Sequence, residues 1–234
     1  MRFSPILFVL AVVACTPVET TAPLPEIAPI ESGPILSVSQ AKANFRAAIR
    51  RVEPVAERIC RAESIEENCN FRIVLDERPD LPVNAFQTLD DNRRPILVFT
   101  LPILREARNE DEIAFVLAHE AAHHIAGHFA RQEQKAALGA ALLGSLAGSL
   151  GTTDPEAIEA AQQVGGAVAA RSYSKSFELE ADALGTRITA EAGYDPLKGA
   201  RFFYRIPDPG DKFLGTHPPN AERLRTVRQV AAEL

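Results

Sequence analysis

No stretch of this chain is rich in lysine and arginine. Its basic residues come no denser than doublets such as Arg50-Arg51 and Arg93-Arg94, and its net charge is -6. A phosphate backbone has nothing to grip, so nucleic acid is excluded as a partner. No internal repeat is present, which argues against an attached helical-repeat binding domain. Long apolar runs are scarce too. The first, Ile6 to Val13, is too short to cross a bilayer. A second, uncharged from Ala136 to Thr153, only just enters the range of a span and holds four glycines. Cysteine is limited to three residues and histidine to five. What is plentiful is apolar material: 46% of 234 residues, enough for one domain with a sizeable core.

The N-terminus reads as a targeting segment. Arg2 followed by Ile6 to Val13 has the pattern of a signal peptide, assigned here to residues 1–14. Val12-Val13-Ala14-Cys15 resembles a bacterial lipobox, in which the cysteine thiol is lipidated and becomes the first mature residue. An ordinary signal peptide cut nearby is the alternative. Thr16 in place of Asp after the cysteine implies, by resemblance to Gram-negative lipoproteins, anchoring to the outer membrane. Residues 15–38 hold five prolines and read as an extended tether reaching at most ~70 Å, at about 3.1 Å per residue. With Cys15 used for lipid, Cys60 and Cys69 are left as a pair. In the periplasm they would close a short loop as a disulfide; two free buried thiols are the alternative.

The domain proper spans 39–234 and reads as α+β, mostly α. A helical pattern starts at Ser39, with Ala43, Ala47, Ile49, Val52, Val55, Ala56 and Ile59 inward. Pro54 either kinks or splits it. Phe71 to Leu75 and Ile96 to Thr100 read as strands, with a short extended piece at Val83 to Phe86 between them. The 136–153 run is either a buried helix hairpin or a glycine-containing flap that gates the site. Asp154-Pro155 starts a helix, and a polar break at 171–176 precedes another that ends near Gly193. Asp195-Pro196 starts a third, and Pro218 the last, with Leu224, Val227 and Val230 inward.

Within this pattern stands His119-Glu120-Ala121-Ala122-His123, on a helix capped by Asn109 and continuing to about Lys135. Residues four apart share a helical face, so His119 and His123 present two imidazoles to one point. Glu120, about 100° further round, is placed to reach a water there. That is the HExxH arrangement of two ligands and a general base. Downstream, Glu178 can complete a two-His, one-Glu zinc site, and Asp182, one turn on, can fix the tautomer of a ligating imidazole. Glu180 points to the opposite face, toward solvent. His124 and His128 form a second pair four apart without a following Glu, and read as ordinary polar-face histidines.

Four landmarks in order, Asn84-Ala85-Phe86, His119-Glu120-x-x-His123, Glu178-x-x-x-Asp182 and Thr216-His217-Pro218 with Arg223, resemble the HtpX-like and CAAX-prenyl-protease-like zinc metallopeptidases over about residues 40 to 230. The resemblance implies a zincin-like domain with a small sheet packed beside the HExxH helix. It implies one Zn²⁺ per chain held by His119, His123 and Glu178, with Glu120 as general base and Asp182 and Arg223 behind the ligands. His217 would either steady the oxyanion or approach the metal transiently. Asn84, Ala85 and Phe86 would form an edge that pairs with an extended or unfolded polypeptide substrate. Members embedded in membranes carry several spans; this chain resembles the periplasmic branch. It departs from the family at Leu89-Asp90-Asp91-Asn92, where a Pro-Gly-Gly is usual, and at Leu101-Pro102, where a glycine often precedes the helix. The expected function is a zinc endopeptidase of envelope protein quality control, with the envelope assembly machinery as a partner. The alternatives are a periplasmic chaperone or assembly factor with a latent zinc site, and a lipoprotein whose metal only locks helices together.

Overall fold

The computed structural model describes residues 24–27, 34–63, 68–207 and 218–234, the side chains of 170–174 excepted. The signal segment, Cys15, much of the tether, Thr216 and His217 lie outside the described residues. Helices dominate and a three-stranded sheet lies beside them, the mostly helical α+β class that the sequence implies.

Helix α1 (Val38–Glu63) buries Ala41, Phe45, Ala48, Val52, Ala56 and Ile59, the three-four spacing of one helical face. Ala43, expected inward, is exposed. Phe45 sets the face instead, because an aromatic ring buries far more apolar area than a methyl group. Its ring meets that of Phe99, centroids 4.9 Å apart. Pro54 does not split the helix; it lies on the exposed side, where a carbonyl freed by the missing N–H can meet water.

Near the end of α1, Cys60 and Cys69 form a disulfide with Cα atoms 5.7 Å apart, so the free-thiol alternative falls away. The bridge closes a loop of nine residues' separation. Replacing both cysteines by alanine should lower stability by about 2–3 kcal/mol, chiefly by freeing the unfolded chain. Urea unfolding under oxidising conditions measures this; an unchanged midpoint would mean the loop is already held by other contacts.

The sheet has the order β1-β3-β2, with β1 (Arg72–Asp76) parallel and β2 (Ala85–Leu89) antiparallel to the central β3 (Pro95–Thr100). Leu97 and Phe99 of β3 point into the core. Val98 sits opposite Val74 on one side and Phe86 on the other. Among the described residues β2 pairs only with β3, so its outer edge is open. The approach to β2 is pinned by Thr100, whose hydroxyl lies 2.8 Å from the Pro82 carbonyl and whose N–H donates to the Asn84 carbonyl at 3.0 Å.

A short helix follows directly, α2 (Leu101–Glu106), which the sequence reading did not anticipate. Pro102 suits its first turn, and Leu101, Ile103 and Leu104 are buried. Next comes α3 (Glu110–Ile125), capped as expected: the Asn109 side chain accepts from the Glu112 N–H at 3.0 Å. The Glu112 carboxylate reaches back to the Arg108 N–H rather than to the cap's own. Twelve of the helix's sixteen residues are buried, as befits an element packed between α1, the sheet and α5.

α3 does not run on to Lys135. Gly127, at φ 62°, ends it after one bridging residue, and α4 (His128–Ser149) starts afresh. That left-handed conformation is one glycine adopts without steric cost. Nor is there a break at 171–176: α5 (Pro155–Glu191) is continuous. Serine, tyrosine and lysine cost only tenths of a kcal/mol in a helix, about 0.5 or so each. Neither glycine nor proline lies between Gly166 and Gly185 to stop it. Together α4 and α5 form a hairpin, but not a buried one. Leu138, Leu142, Leu146 and Leu150 are 53–78% exposed, and no residue of 136–153 lines the cavity described below, which removes the flap reading. Among the described residues no helix is long and apolar enough to cross a membrane. The short α6 (Pro196–Gly199), a 3-10 turn at Ala200–Tyr204 and α7 (Asn220–Ala231) complete the fold, with Leu224, Val227 and Val230 inward.

Candidate metal centre

One side of α3, carrying His119, Glu120 and His123, opens on a cavity of about 750 Å³. The open strand β2 lines it through Ala85, Phe86 and Gln87, after Val83 and Asn84. Phe129 of α4 and the Phe202–Phe203 pair bring further apolar surface. Glu120, half-buried, lies in the same cavity.

His119 and His123 stand one turn apart with their Nε2 atoms 3.0 Å from each other. Helix α5 packs on α3 closely enough to bring Glu178 to them: its carboxylate oxygens lie 3.5 Å from His119 Nε2 and 3.4 Å from His123 Nε2. The approach depends on Gly185, two turns along α5 from Glu178. A Cβ there would sit 3.1 Å from the His119 backbone nitrogen. Four bonds of about 2.0–2.1 Å in a tetrahedron leave ligand atoms about 3.3 Å apart. The observed edges of 3.0, 3.4 and 3.5 Å match that spacing. The donor set of two imidazoles and one carboxylate therefore fits a zinc-sized cation, and the three residues form such a group among those described.

The remaining nitrogens of the two imidazoles are engaged away from this point. His119 Nδ1 lies 3.0 Å from Asp182, which is completely buried and gripped by Arg223 through two hydrogen bonds of 2.7 and 2.6 Å. Burial alone would raise the Asp182 carboxyl, but the Arg223 guanidinium and the hydrogen bonds from Arg223 and His119 hold it below the usual range. For His119, burial alone would lower the pKa, yet the hydrogen bonds to Asp182 and Glu178 push it up to about 9. A proton is thus retained among these carboxylates, and a cation must displace it to bind.

His123 is held differently. Its Nδ1 lies 2.8 Å from Nδ1 of His128, whose Nε2 lies 3.2 Å from the Glu180 carboxylate. Arg131 donates to both oxygens of Glu180, at 3.0 and 2.9 Å. Burial, with the nearby His123, pushes His128 down to about 4. The polar-face reading of His124 and His128 is therefore wrong, since both are buried. His124 Nε2 donates to the Asn68 carbonyl at 2.9 Å and its ring meets the edge of Phe71. Glu180 is half-exposed but not idle. The signal that could have exposed the place of His128 was Gly127: once the helix stops there, residue 128 no longer continues the 100° progression.

The structure thus brings His119, His123, Glu178, Asp182 and Arg223 together, with Glu120 and the Asn84–Phe86 segment on the same cavity. His217 lies outside the described residues. The family model of peptidase family M48 matches residues 46–231. Comparison with curated proteins returned no match.

Proposed function

Because the chain belongs to peptidase family M48, and is accordingly a metallopeptidase, we propose that it is a zinc-dependent endopeptidase that cleaves extended segments of misfolded or unassembled proteins of the bacterial cell envelope. The observation that carries this reading is the meeting of His119, His123 and Glu178 around one point, in a cavity that also holds Glu120 and an open strand edge. His119 and His123 would hold the cation through Nε2, and Glu178 through its carboxylate. A zinc ion there supplies Lewis acidity, activating water as the nucleophile and polarising the scissile carbonyl.

The chain's own residues do the rest. Glu120 takes the proton of the attacking water and hands it to the departing amine. His217 steadies the negative charge that develops on the carbonyl oxygen. The outer edge of β2 pairs with the substrate main chain and so presents one amide to the centre. Phe86, 43% exposed on that strand, together with the exposed Phe129, offers apolar surface to side chains that a folded protein would keep inside. Unfolded polypeptide is the substrate class this surface suits. A lipid at Cys15 and the proline-rich tether would place the domain in the periplasm on the outer membrane, which argues for envelope clients.

Metal analysis paired with cleavage tests the reading. The purified protein should carry one zinc per chain, lose cleavage of an unfolded outer-membrane protein on chelation, and recover it when zinc is restored. Cleavage indifferent to chelation, or a protein that takes up no zinc, would sink the proposal.

A further inference from the structure

We propose that His128 is a positioning residue that orients His123 toward the metal, with Glu180 and Arg131 behind it, and is thus the counterpart of the Asp182–Arg223 pair behind His119. The inference rests on the metal-site reading above. It follows from which atoms can carry protons. Glu180, paired with Arg131 at 2.9 Å, is a carboxylate that only accepts. The His128 Nε2 atom, 3.2 Å from it, therefore bears the hydrogen. A neutral imidazole with hydrogen on Nε2 has a bare Nδ1, and a bare nitrogen can only accept. Its neighbour at 2.8 Å, Nδ1 of His123, must then be the donor. That leaves the lone pair of His123 on Nε2, the atom that faces His119 and Glu178. Reading inward from a half-exposed carboxylate, each hydrogen bond fixes the next, and the last fixes the tautomer that binds a metal.

Packing holds the relay in register. His128 is 4% exposed and stacks on Phe177, rings 4.5 Å apart and 12° from parallel. The Arg131 guanidinium sits 4.5 Å from the same ring. Phe177 directly precedes Glu178, so the stack ties the relay to the segment of α5 that supplies the carboxylate ligand. The turn at Gly127 is what makes this possible. On an uninterrupted helix residue 128 would lie about 140° round from His123. The left-handed glycine restarts the helix and swings the side chain back.

A merely structural role and a positioning role predict different things for metal affinity. The probe is Zn²⁺ alone, titrated against a chromophoric chelator, with the visible spectrum of the Co²⁺-loaded protein as a second readout and the melting temperature of the metal-free protein as a control. His128→Phe keeps the stack on Phe177 but cannot accept a hydrogen bond; zinc should bind about 10–100-fold more weakly and the cobalt spectrum should shift. His128→Gln offers an acceptor again and should recover most of that loss. Glu180→Ala, a change at a half-exposed site, should weaken zinc by about threefold or more and leave the metal-free melting temperature unchanged. Zinc bound as tightly by His128→Phe as by wild type, or Gln no better than Phe, overturns the proposal. Should His128→Phe not fold, Glu180→Ala decides alone, and wild-type affinity in it overturns the relay. A wild-type protein that binds no zinc instead refutes the metal site itself, a different failure.

Discussion

Glu120→Gln should cleave an unfolded polypeptide about 10²–10⁴-fold more slowly than wild type while retaining its zinc. Glutamine matches glutamate in shape, so the packing of α3 is undisturbed, and residue 120 belongs to neither the converging ligands nor their supporting hydrogen bonds. What the amide lacks is basicity. It cannot take a proton from water or return one to a leaving amine, so kcat and kcat/KM should fall together, the mark of an interaction made in the transition state. Steady-state hydrolysis of a quenched fluorescent peptide, with metal content measured on the same preparation, provides both numbers. Turnover within tenfold of wild type would remove Glu120 from the chemistry. The same variant separates a protease from a chaperone: if it still protects unfolded clients from aggregation as wild type does, and wild type cleaves nothing, the holding role is the better reading.

Asp182→Ala should be the most damaging single change to stability, at about 3–5 kcal/mol. The Arg223 side chain is 7% exposed and its nearest anion is Asp182 at 2.6 Å, with Glu178 farther off at 3.5 Å. Removing the aspartate leaves a buried guanidinium short of its main counter-charge and strips His119 of its Nδ1 partner. Zinc affinity should therefore fall by about 10–100-fold as well. Urea unfolding of the metal-free protein isolates the first effect and chelator competition the second. Removing Arg223 along with Asp182 should cost less than the two separate losses added, since each single change strands a charge that the double change does not. By contrast Asp76→Ala, which removes an exposed pair with Arg78, should be indistinguishable from wild type. Equal losses from Asp182→Ala and Asp76→Ala would contradict the buried-pair account.

The convergence of His119, His123 and Glu178 was legible because a helix is periodic. Two histidines four apart had to share a face, and one glutamate with an aspartate four later had to share another. The Asn109 cap and the Asp195-Pro196 start were legible for the same local reason: each side-chain bond reaches only two or three residues along the chain. The relay behind His123 was not, since a single glycine changed the phase of everything after it. The inward face of α1 departs from expectation at its start, where Phe45 decides the orientation and buries Ala41 and Ala48 rather than Ala43. The polar segment at 171–176 looked like a loop because charge and hydroxyl were read as a break, yet nothing there forbids a helix. The apolar run at 136–153 looked buried because hydropathy reports what a side chain prefers and not what covers it.

The two helices that meet at Gly185 contribute to the centre from positions 55 residues or more apart in the chain, with the histidines on one and Glu178 on the other. A cation held between them acts as a reversible cross-link, present only in the folded chain. If the cation is zinc, as proposed, ligand-linked stabilisation follows: free zinc at about 1,000 times its dissociation constant would add roughly 4 kcal/mol to the native state. The lifetime of the protein in its compartment is thereby tied to the local supply of metal. Loss of the cation would cost the chain its metal centre and, through the loosened helix pair, part of its resistance to being degraded itself.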